Sequence, residues 1–226
     1  MSTRRRGLAL RTMSWVVTTV ALAALVRMSA VEPYRIPSNS MEPALLEGDY
    51  VVVDKASMGL RFLESRLQPY PTRALRSGDV IVFTSPDDPE TAYIKRVTGI
   101  PGDTLEMRNG VLLRNARLQR EGYARRSPDK VSDATDFLWQ RRYLLPTEDR
   151  ASYLPTSANW GPIVVPRNSY FVLGDNRGKS FDSRHWGFVP FSRIRGRALF
   201  IYGSLGGRSA GDSSQRLRWA RIGMRL

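Results

Sequence analysis

The chain predicts a mostly β body set behind an N-terminal membrane segment. Fourteen prolines and eighteen glycines among 226 residues suit a turn-rich β fold better than a helix bundle. Apolar runs of strand length recur between Gly-Asp, Pro-Gly and Asn-Gly turns. The long alternating helices of a parallel α/β sheet are missing. An arginine-flanked apolar run opens the chain.

Composition narrows the function classes. Hydrophobic residues make up 42% of the chain, which is ordinary for a globular protein and argues against wholesale disorder. Cysteine is absent, so disulfides, thiolate nucleophiles and Cys-based metal sites are excluded. The formal net charge is +14. The arginines are scattered, with no zinc finger, RNA-binding signature or long basic helix, so no nucleic-acid partner is expected. An anionic membrane surface accounts for the charge with less effort.

The N-terminus comes first. Arg4, Arg5, Arg6 and Arg11 precede Met13–Val26, Arg27 interrupts the run, and Met28–Val31 continues it. The stretch between Arg11 and Arg27 makes about 22 Å of helix, short of the roughly 30 Å hydrocarbon core. Arginine stems snorkel, and 13–31 spans if Arg27 reaches the interface. The expectation is a cytoplasmic basic N-terminus over 1–12, a transmembrane helix over 13–31, and export of everything beyond. A cleaved signal peptide is the competing reading. Met28-Ser29-Ala30 is a poor small-x-small site, which favours a retained anchor.

The exported part reads as strands in order. Gly48-Asp49 turns into "YVVVDK", and Ser77-Gly78-Asp79 turns into "VIVFTS". Between them 56–76 reads as a loop with at most one helical turn. "TAYIKRVTGI" is a third strand, ended by Pro101-Gly102-Asp103. "TLEMRNGVLLRN" places Asn109-Gly110 between apolar stretches, a strong hairpin signal. Residues 115–160 are polar and irregular, with three prolines. "PIVVP", "SYFVLGD" and "RALFIYG" restore strand character. Residues 203–226 form a basic flexible tail by composition. Its last part, "RLRWARIGMRL", could be an interfacial helix.

Chemistry concentrates in three stretches. "PSNSMEPALLEGD" carries Ser38 and Ser40. A serine nucleophile needs a base, and two are available. The only histidine is His185, which would make a Ser-His-Asp triad. The other option is a neutral lysine. A lysine titrates near 10.4 in water and serves as a base only after burial has lowered that value. Lys95 meets the requirement, because in a strand it shares a face with Tyr93 and Val97. The third stretch, "GDNRGKSFDSRHWGFVP", crowds carboxylates, hydroxyls and cations into one loop, as a hydrogen-bonded site loop does.

"PSNSMEPAL", "YIKRVTGIPGD" and "GDNRGKSFDSRHWGFVP", in this order behind an N-terminal anchor, resemble the signature stretches of bacterial type I signal peptidases. "GDYVVVDK" and "SGDVIVF" resemble the family too. The resemblance covers about half of the exported part in separated blocks. It implies an antiparallel β-sheet catalytic domain, 32–103 and 167–202, with a smaller non-catalytic β domain inserted at 104–166. It implies a serine endopeptidase that removes signal peptides from exported preproteins on the outer face of the cytoplasmic membrane, without metal or cofactor. By the same resemblance Ser40 is the nucleophile and Lys95 the general base. Ser38 joins the Ser40 N–H in holding the oxyanion, Ser180 orients the lysine amine, and Asp182 with Arg184 is a supporting pair. Tyr34, Ile36, Met41, Leu45, Tyr93 and Ile94 match the substrate pocket, and ordinary core packing explains them equally well. The partners are signal peptides and the phospholipid membrane. Glu42 near Ser40 and Lys179 close to Ser180 depart from the pattern, the insertion carries no readable motif, and His185 sits where the pattern is permissive. The rival functions are a specialised Ser/Lys peptidase for pilin-like substrates and an inactive anchored interaction protein.

Overall fold

The computed structural model describes residues 31–55, 74–86, 88–126, 134–206 and 216–226, together with Trp15, Thr18 and Thr19. Its strands form two sheets, and every strand pair is antiparallel. The larger holds β1 (Val31–Arg35), β2 (Asp49–Asp54), β3 (Val80–Thr84), β4 (Ala92–Gly99), β9 (Ser169–Leu173), β10 (Val189–Pro190) and β11 (Ile194–Ser204). Their order across the sheet is β1-β2-β11-β3-β4-β9-β10. The smaller holds β5 (Thr104–Arg108), β6 (Val111–Arg114), β7 (Arg117–Leu118) and β8 (Trp160–Val164), in the order β7-β6-β5-β8. It is contributed wholly by chain lying between β4 and β9. The Asn109-Gly110 hairpin forms as its sequence demands. Both residues have positive φ, 49° and 74°, the geometry of a two-residue turn that matches strand twist.

Alternation along the strands sorts side chains into separate cores. Val51 and Val53 of β2, Val80 and Val82 of β3, and Ile94 of β4 face one core. Ile81, Phe83 and Val97 face a second, on the other side of the sheet. Strand β9 is buried on both faces. Tyr170 and Val172 enter that second core. Phe171 and Leu173 enter a third, built with Leu105, Met107, Trp160 and Ile163 of the smaller sheet. One strand therefore belongs to the cores of both sheets and fixes them to each other.

The anchor expected over 13–31 lies outside the described residues, apart from Trp15, Thr18, Thr19 and Val31, and Val31 opens β1. No helix among the described residues is long and apolar enough to cross a membrane. The end of the chain differs from the flexible basic tail expected for 203–226. β11 runs to Ser204. Residues 216–226 then fold back on the sheet, with bridges between Leu205 and Leu217 and between Phe200 and Arg225. The physical reason is a buried carboxylate, Asp49, that takes Arg218 and Arg221 as partners. Composition alone does not reveal that pairing.

The shared strand makes one stability prediction. Phe171 is fully buried and its ring lies 5.2 Å from that of Trp160. Phe171→Ala should lower the unfolding free energy by about 3–5 kcal/mol, read from the urea midpoint at constant m-value. A loss below about 1 kcal/mol would mean that β9 does not join the two cores.

Candidate active site

Lys95 sits in the middle of β4, directly opposite Ile81 of β3. Tyr93 and Val97 flank it on the same face of the strand. Only 5% of the residue is exposed. Its Nζ lies 2.9 Å from Ser40 Oγ and donates to Ile94 O at 3.0 Å. The Tyr93 ring lies 5.6 Å away. Burial drives the amine down from 10.5 to about 8, against the pull of the Asp182 and Asp175 charges. A lysine in this strand is thus close to half neutral at mildly alkaline pH.

Ser40 lies on a loop that leaves β1 and returns to β2. Two backbone bonds close it, Ile36 N to Asp49 O at 2.8 Å and Gly48 N to Ile36 O at 2.9 Å. Within it, Leu45 N donates to Met41 O at 2.9 Å, making a single helical turn just after Ser40. Met41 and Leu45 sink completely into the first core, so apolar burial pins the turn from below. Ser40 is itself 6% exposed. Ser38 Oγ stands 3.2 Å from Ser40 Oγ. A neighbouring loop holds the backbone from the other side. Asn176 N donates to Ser40 O at 3.1 Å, and Asn176 Nδ2 donates to Asn39 O at 3.2 Å.

That neighbouring loop, 174–182, is stiffened by two buried ion pairs. Asp182 takes both arms of Arg184, Nε to Oδ1 at 2.8 Å and Nη2 to Oδ2 at 3.0 Å. It also accepts from Gly174 N at 3.0 Å and caps the short helix Ser183–Trp186. Burial alone would raise this carboxyl, but the Arg184 charge and hydrogen bonds win and hold it below the usual carboxylate range. Asp175 takes both arms of Arg96 at 2.8 and 2.7 Å. Gly174 has to be glycine on space alone. A Cβ there would meet Ser180 Oγ at 2.2 Å and Ser40 O at 2.5 Å.

The structure brings Ser38, Ser40 and Lys95 together and pairs Asp182 with Arg184. It does not bond Ser180 to the amine. Ser180 is buried, but its Oγ packs over Gly174, while Lys95 Nζ is engaged by Ser40 and Ile94. Of the six pocket candidates, Ile36, Met41, Leu45 and Ile94 are sealed core residues of one cluster. Tyr34 is half-buried and donates from its hydroxyl to Ala92 O at 2.6 Å. Tyr93 is half-buried, its ring edge-on to Phe83. Core burial, not an open groove, is what those apolar positions express here. Glu42, Lys179 and His185 all leave the Ser40–Lys95 contact undisturbed. Glu42 pairs with Arg125 at 3.6 Å, not with Lys95. Lys179 is exposed. The His185 ring packs between Phe137 and Phe181, and burial pushes its pKa down. It bonds neither Ser40 nor Lys95.

Sequence reasoning missed the Arg96–Asp175 pair and a second buried pair, Arg177 with Glu121. Glu121 comes from the chain between β7 and β8. In that same stretch Arg125 N donates to Asp175 O at 2.7 Å and accepts from Arg177 N through its carbonyl at 2.9 Å. Strand alternation puts Arg96 on the face opposite Lys95, and that was the available signal for one partner. No spacing rule supplied the other.

Residues 9–203 match the family described as signal peptidase, peptidase S26. Signal peptidase I of Pseudomonas aeruginosa is 33% identical over 195 residues, a match covering 80% of this chain and 68% of that protein. Probable signal peptidase I-1 of Synechocystis sp. is 34% identical over 193 residues, covering 82% and 78%. Thylakoidal processing peptidase 1, chloroplastic, of Arabidopsis thaliana is 33% identical over 195 residues, covering 82% of this chain and 46% of its own.

The buried amine makes its own thermodynamic prediction. In the folded chain Lys95 loses its proton near 8, and in the unfolded chain near 10.5. Between those values the unfolded state binds more protons, so stability rises with pH. Below about 8 both states are protonated and the fold bears the full cost, about 3 kcal/mol. Lys95→Met should therefore be more stable than wild type at pH 7, and the gap should shrink as pH rises from 8 towards 10.5. Urea unfolding of both chains across that range measures it. A gap independent of pH would mean that the amine is not desolvated.

Proposed function

The chain belongs to the signal peptidase family, peptidase S26, and we propose that Ser40 is its nucleophile and Lys95 its general base. As a member it is a membrane serine endopeptidase that removes signal peptides by a Ser/Lys dyad. One observation carries the assignment of residues: a buried lysine amine 2.9 Å from a serine hydroxyl. A neutral amine has one lone pair and two N–H groups. Ile94 O takes one N–H, which leaves the lone pair free to face the Ser40 hydroxyl.

The steps follow from those positions. Ser40 Oγ attacks the scissile carbonyl as Lys95 takes its proton. The oxyanion is held by the Ser40 N–H and the Ser38 hydroxyl. The lysine ammonium then gives the proton to the leaving amine, and the acyl group stays on Ser40. Lys95 then takes a proton from water as the water oxygen adds to the acyl carbon, and the ammonium returns that proton to Ser40 Oγ as the C–Oγ bond breaks and the acid leaves. Asp182 and Arg184 stiffen the 174–182 loop that lies against the Ser40 backbone, and Ser180 on that loop would orient the amine.

The substrate is a signal peptide, extended at its cleavage site. β9 pairs with β4 only from Arg96 to Gly99, so the edge of Ala92–Lys95 on that side has no strand partner among the described residues. β1 is likewise an outer strand. The Tyr34–Ala92 hydrogen bond brings these two edges near each other. A peptide adding to such edges gains main-chain hydrogen bonds while its alternate side chains point inward. Residues 13–31 would anchor the chain with 1–12 in the cytoplasm, and the catalytic domain, 32–103 with 167–202, would stand on the outer face. Ser40 follows Val31 by nine residues, which keeps the nucleophile at the level where a membrane-held substrate emerges.

Cleavage of a purified preprotein tests the dyad. Ser40→Ala and Lys95→Arg should both abolish turnover, since guanidinium stays charged. Wild-type kcat/KM should rise with pH on an acid limb centred near 8, because only neutral Lys95 accepts the proton. Near-normal activity of Lys95→Arg would reject the base assignment, as would an acid limb that disappears in His185→Ala.

Ser38→Ala tests the oxyanion role in the same assay. It should lower kcat by an amount equivalent to about 2.7–4 kcal/mol, with KM little changed. A defect confined to KM would give Ser38 a loop-shaping role instead.

A further inference from the structure

The end of the chain grips the back of the nucleophile loop. β3 pairs with only the first part of β11, Ile194 to Arg197. Beyond it, the edge of β11 is taken by the last residues. Leu226 N donates to Leu199 O at 3.1 Å, Ile201 N to Met224 O at 3.0 Å, and Gly223 N to Ile201 O at 2.7 Å. Taken alone, these bonds cover an open sheet edge.

The arginines of this arm reach further. Asp49, the first residue of β2, is fully buried. Its carboxylate accepts from Arg221 Nη2 at 2.7 Å, Ser204 Oγ at 2.6 Å, Leu46 N at 2.8 Å and Arg218 Nη2 at 3.3 Å. The same guanidiniums continue past Asp49 to loop carbonyls. Arg221 Nη2 donates to Ala44 O at 2.8 Å, and Arg218 Nη2 to Glu47 O at 2.7 Å. Ala44 lies inside the Met41–Leu45 turn that follows Ser40. Leu226 packs on the core that holds Met41 and Leu45. Gly48, beside Asp49, has φ +84°, and a Cβ there would meet Leu205 O at 2.2 Å. Burial would raise the Asp49 carboxyl, but bonds from Arg221, Ser204 and Leu46 hold it below its ordinary value. The carboxylate therefore stays ionised and keeps its grip on the arm.

We infer that the C-terminal arm sets the position of the nucleophile, and that Arg221 is its main positioning residue, acting on Ser40 through Asp49 and Ala44. This rests on Ser40 being the nucleophile. A buried ion pair is weak evidence of stability, because its desolvation offsets its attraction. What it fixes is geometry, and the geometry at stake is the 2.9 Å approach of Ser40 Oγ to Lys95 Nζ.

The test uses the full chain and preprotein cleavage, with the folded fraction of each variant measured by thermal unfolding. Arg221→Ala should lower kcat per folded molecule by about 10- to 100-fold, with KM nearly unchanged. Arg221→Lys should recover part of that, because it keeps the charge and loses the fork that spans Asp49 and Ala44. Arg142→Ala, an exposed arginine on another element, should match wild type. If Arg221→Ala does not fold, Arg221→Lys decides: its kcat per folded molecule must fall measurably below wild type. Unchanged kcat per folded molecule, whatever happens to the melting temperature, would make the arm a mere cover for β11 and overturn the inference. Ser40→Ala in the same series separates the two failures. If it is inactive while the Arg221 variants are fully active, only the positioning role falls. If it is active, the nucleophile assignment falls first.

Discussion

A lysine amine buried beside a serine hydroxyl is the constraint around which this molecule is arranged. Desolvation is the means, and it acts against an opposing field. Asp182 and Asp175 are both buried near Lys95, and both raise its affinity for a proton. An unpaired carboxylate in that position would keep the amine charged. Each carboxylate instead lies in the two-armed grip of its own arginine, Arg184 or Arg96. The arginines satisfy a buried charge that could not stand alone. The two ion pairs that stiffen the 174–182 loop thus carry the charges that burial of the amine has to overcome before it titrates near 8.

The mostly β fold suits this purpose because a strand gives a residue two distinct surroundings. On β4, Ile94 enters one core while Val97 enters the other, and Lys95 reaches the dry face with its stem between Tyr93 and Val97. Ser40, the proposed nucleophile, comes from a loop, which is ordinarily the mobile part of a fold. Here the loop is fixed on several sides: by Met41 and Leu45 below, by Asn176 beside it, and by Asp49 with the two C-terminal arginines behind. The smaller sheet takes part as well. Glu121 and the Arg125 backbone, both from the chain between β7 and β8, bind the Asp175–Arg177 segment. Chain that carries no readable motif thereby supports the loop that touches Ser40.

Local chemistry was legible in the sequence and distant pairing was not. "YVVVDK", "VIVFTS" and "TAYIKRVTGI" became β2, β3 and β4 because strand periodicity and turn residues act over a few positions. Asn109-Gly110 became a hairpin for the same reason. That Ser38, Ser40 and Lys95 lie together was suggested by the family resemblance of their separate stretches, while the chemistry of the residues alone left His185 open as well. The pocket candidates Ile36, Met41, Leu45 and Ile94 fared differently, since an apolar side chain reads alike whether it faces a substrate or a core. The fold of 216–226 was hidden for another reason. Its partner, Asp49, lies more than 150 residues away, and an arginine-rich, glycine-bearing stretch has the composition of a solvated tail. Only the buried carboxylate distinguishes the two outcomes, and burial is a property of the whole fold.

In the proposed dyad, the choice of lysine over histidine as base follows from the same surroundings. A histidine titrates near 6.5 in water, and burial lowers it further, as it does for His185 between two phenylalanine rings. In the Lys95 position an imidazole would be neutral at physiological pH but a weak base, with little drive to take a serine proton. A lysine starts four units higher, so the same burial brings it down to the working range and leaves a stronger base behind. The cost is that the amine must stay dry. In the free chain the remaining exposure of Lys95 is small, and a peptide added along Ala92–Lys95 would cover what is left. In this proposal substrate docking and activation of the base would be one event: a peptide that aligns its carbonyl with Ser40 would also shield the Lys95 amine from solvent.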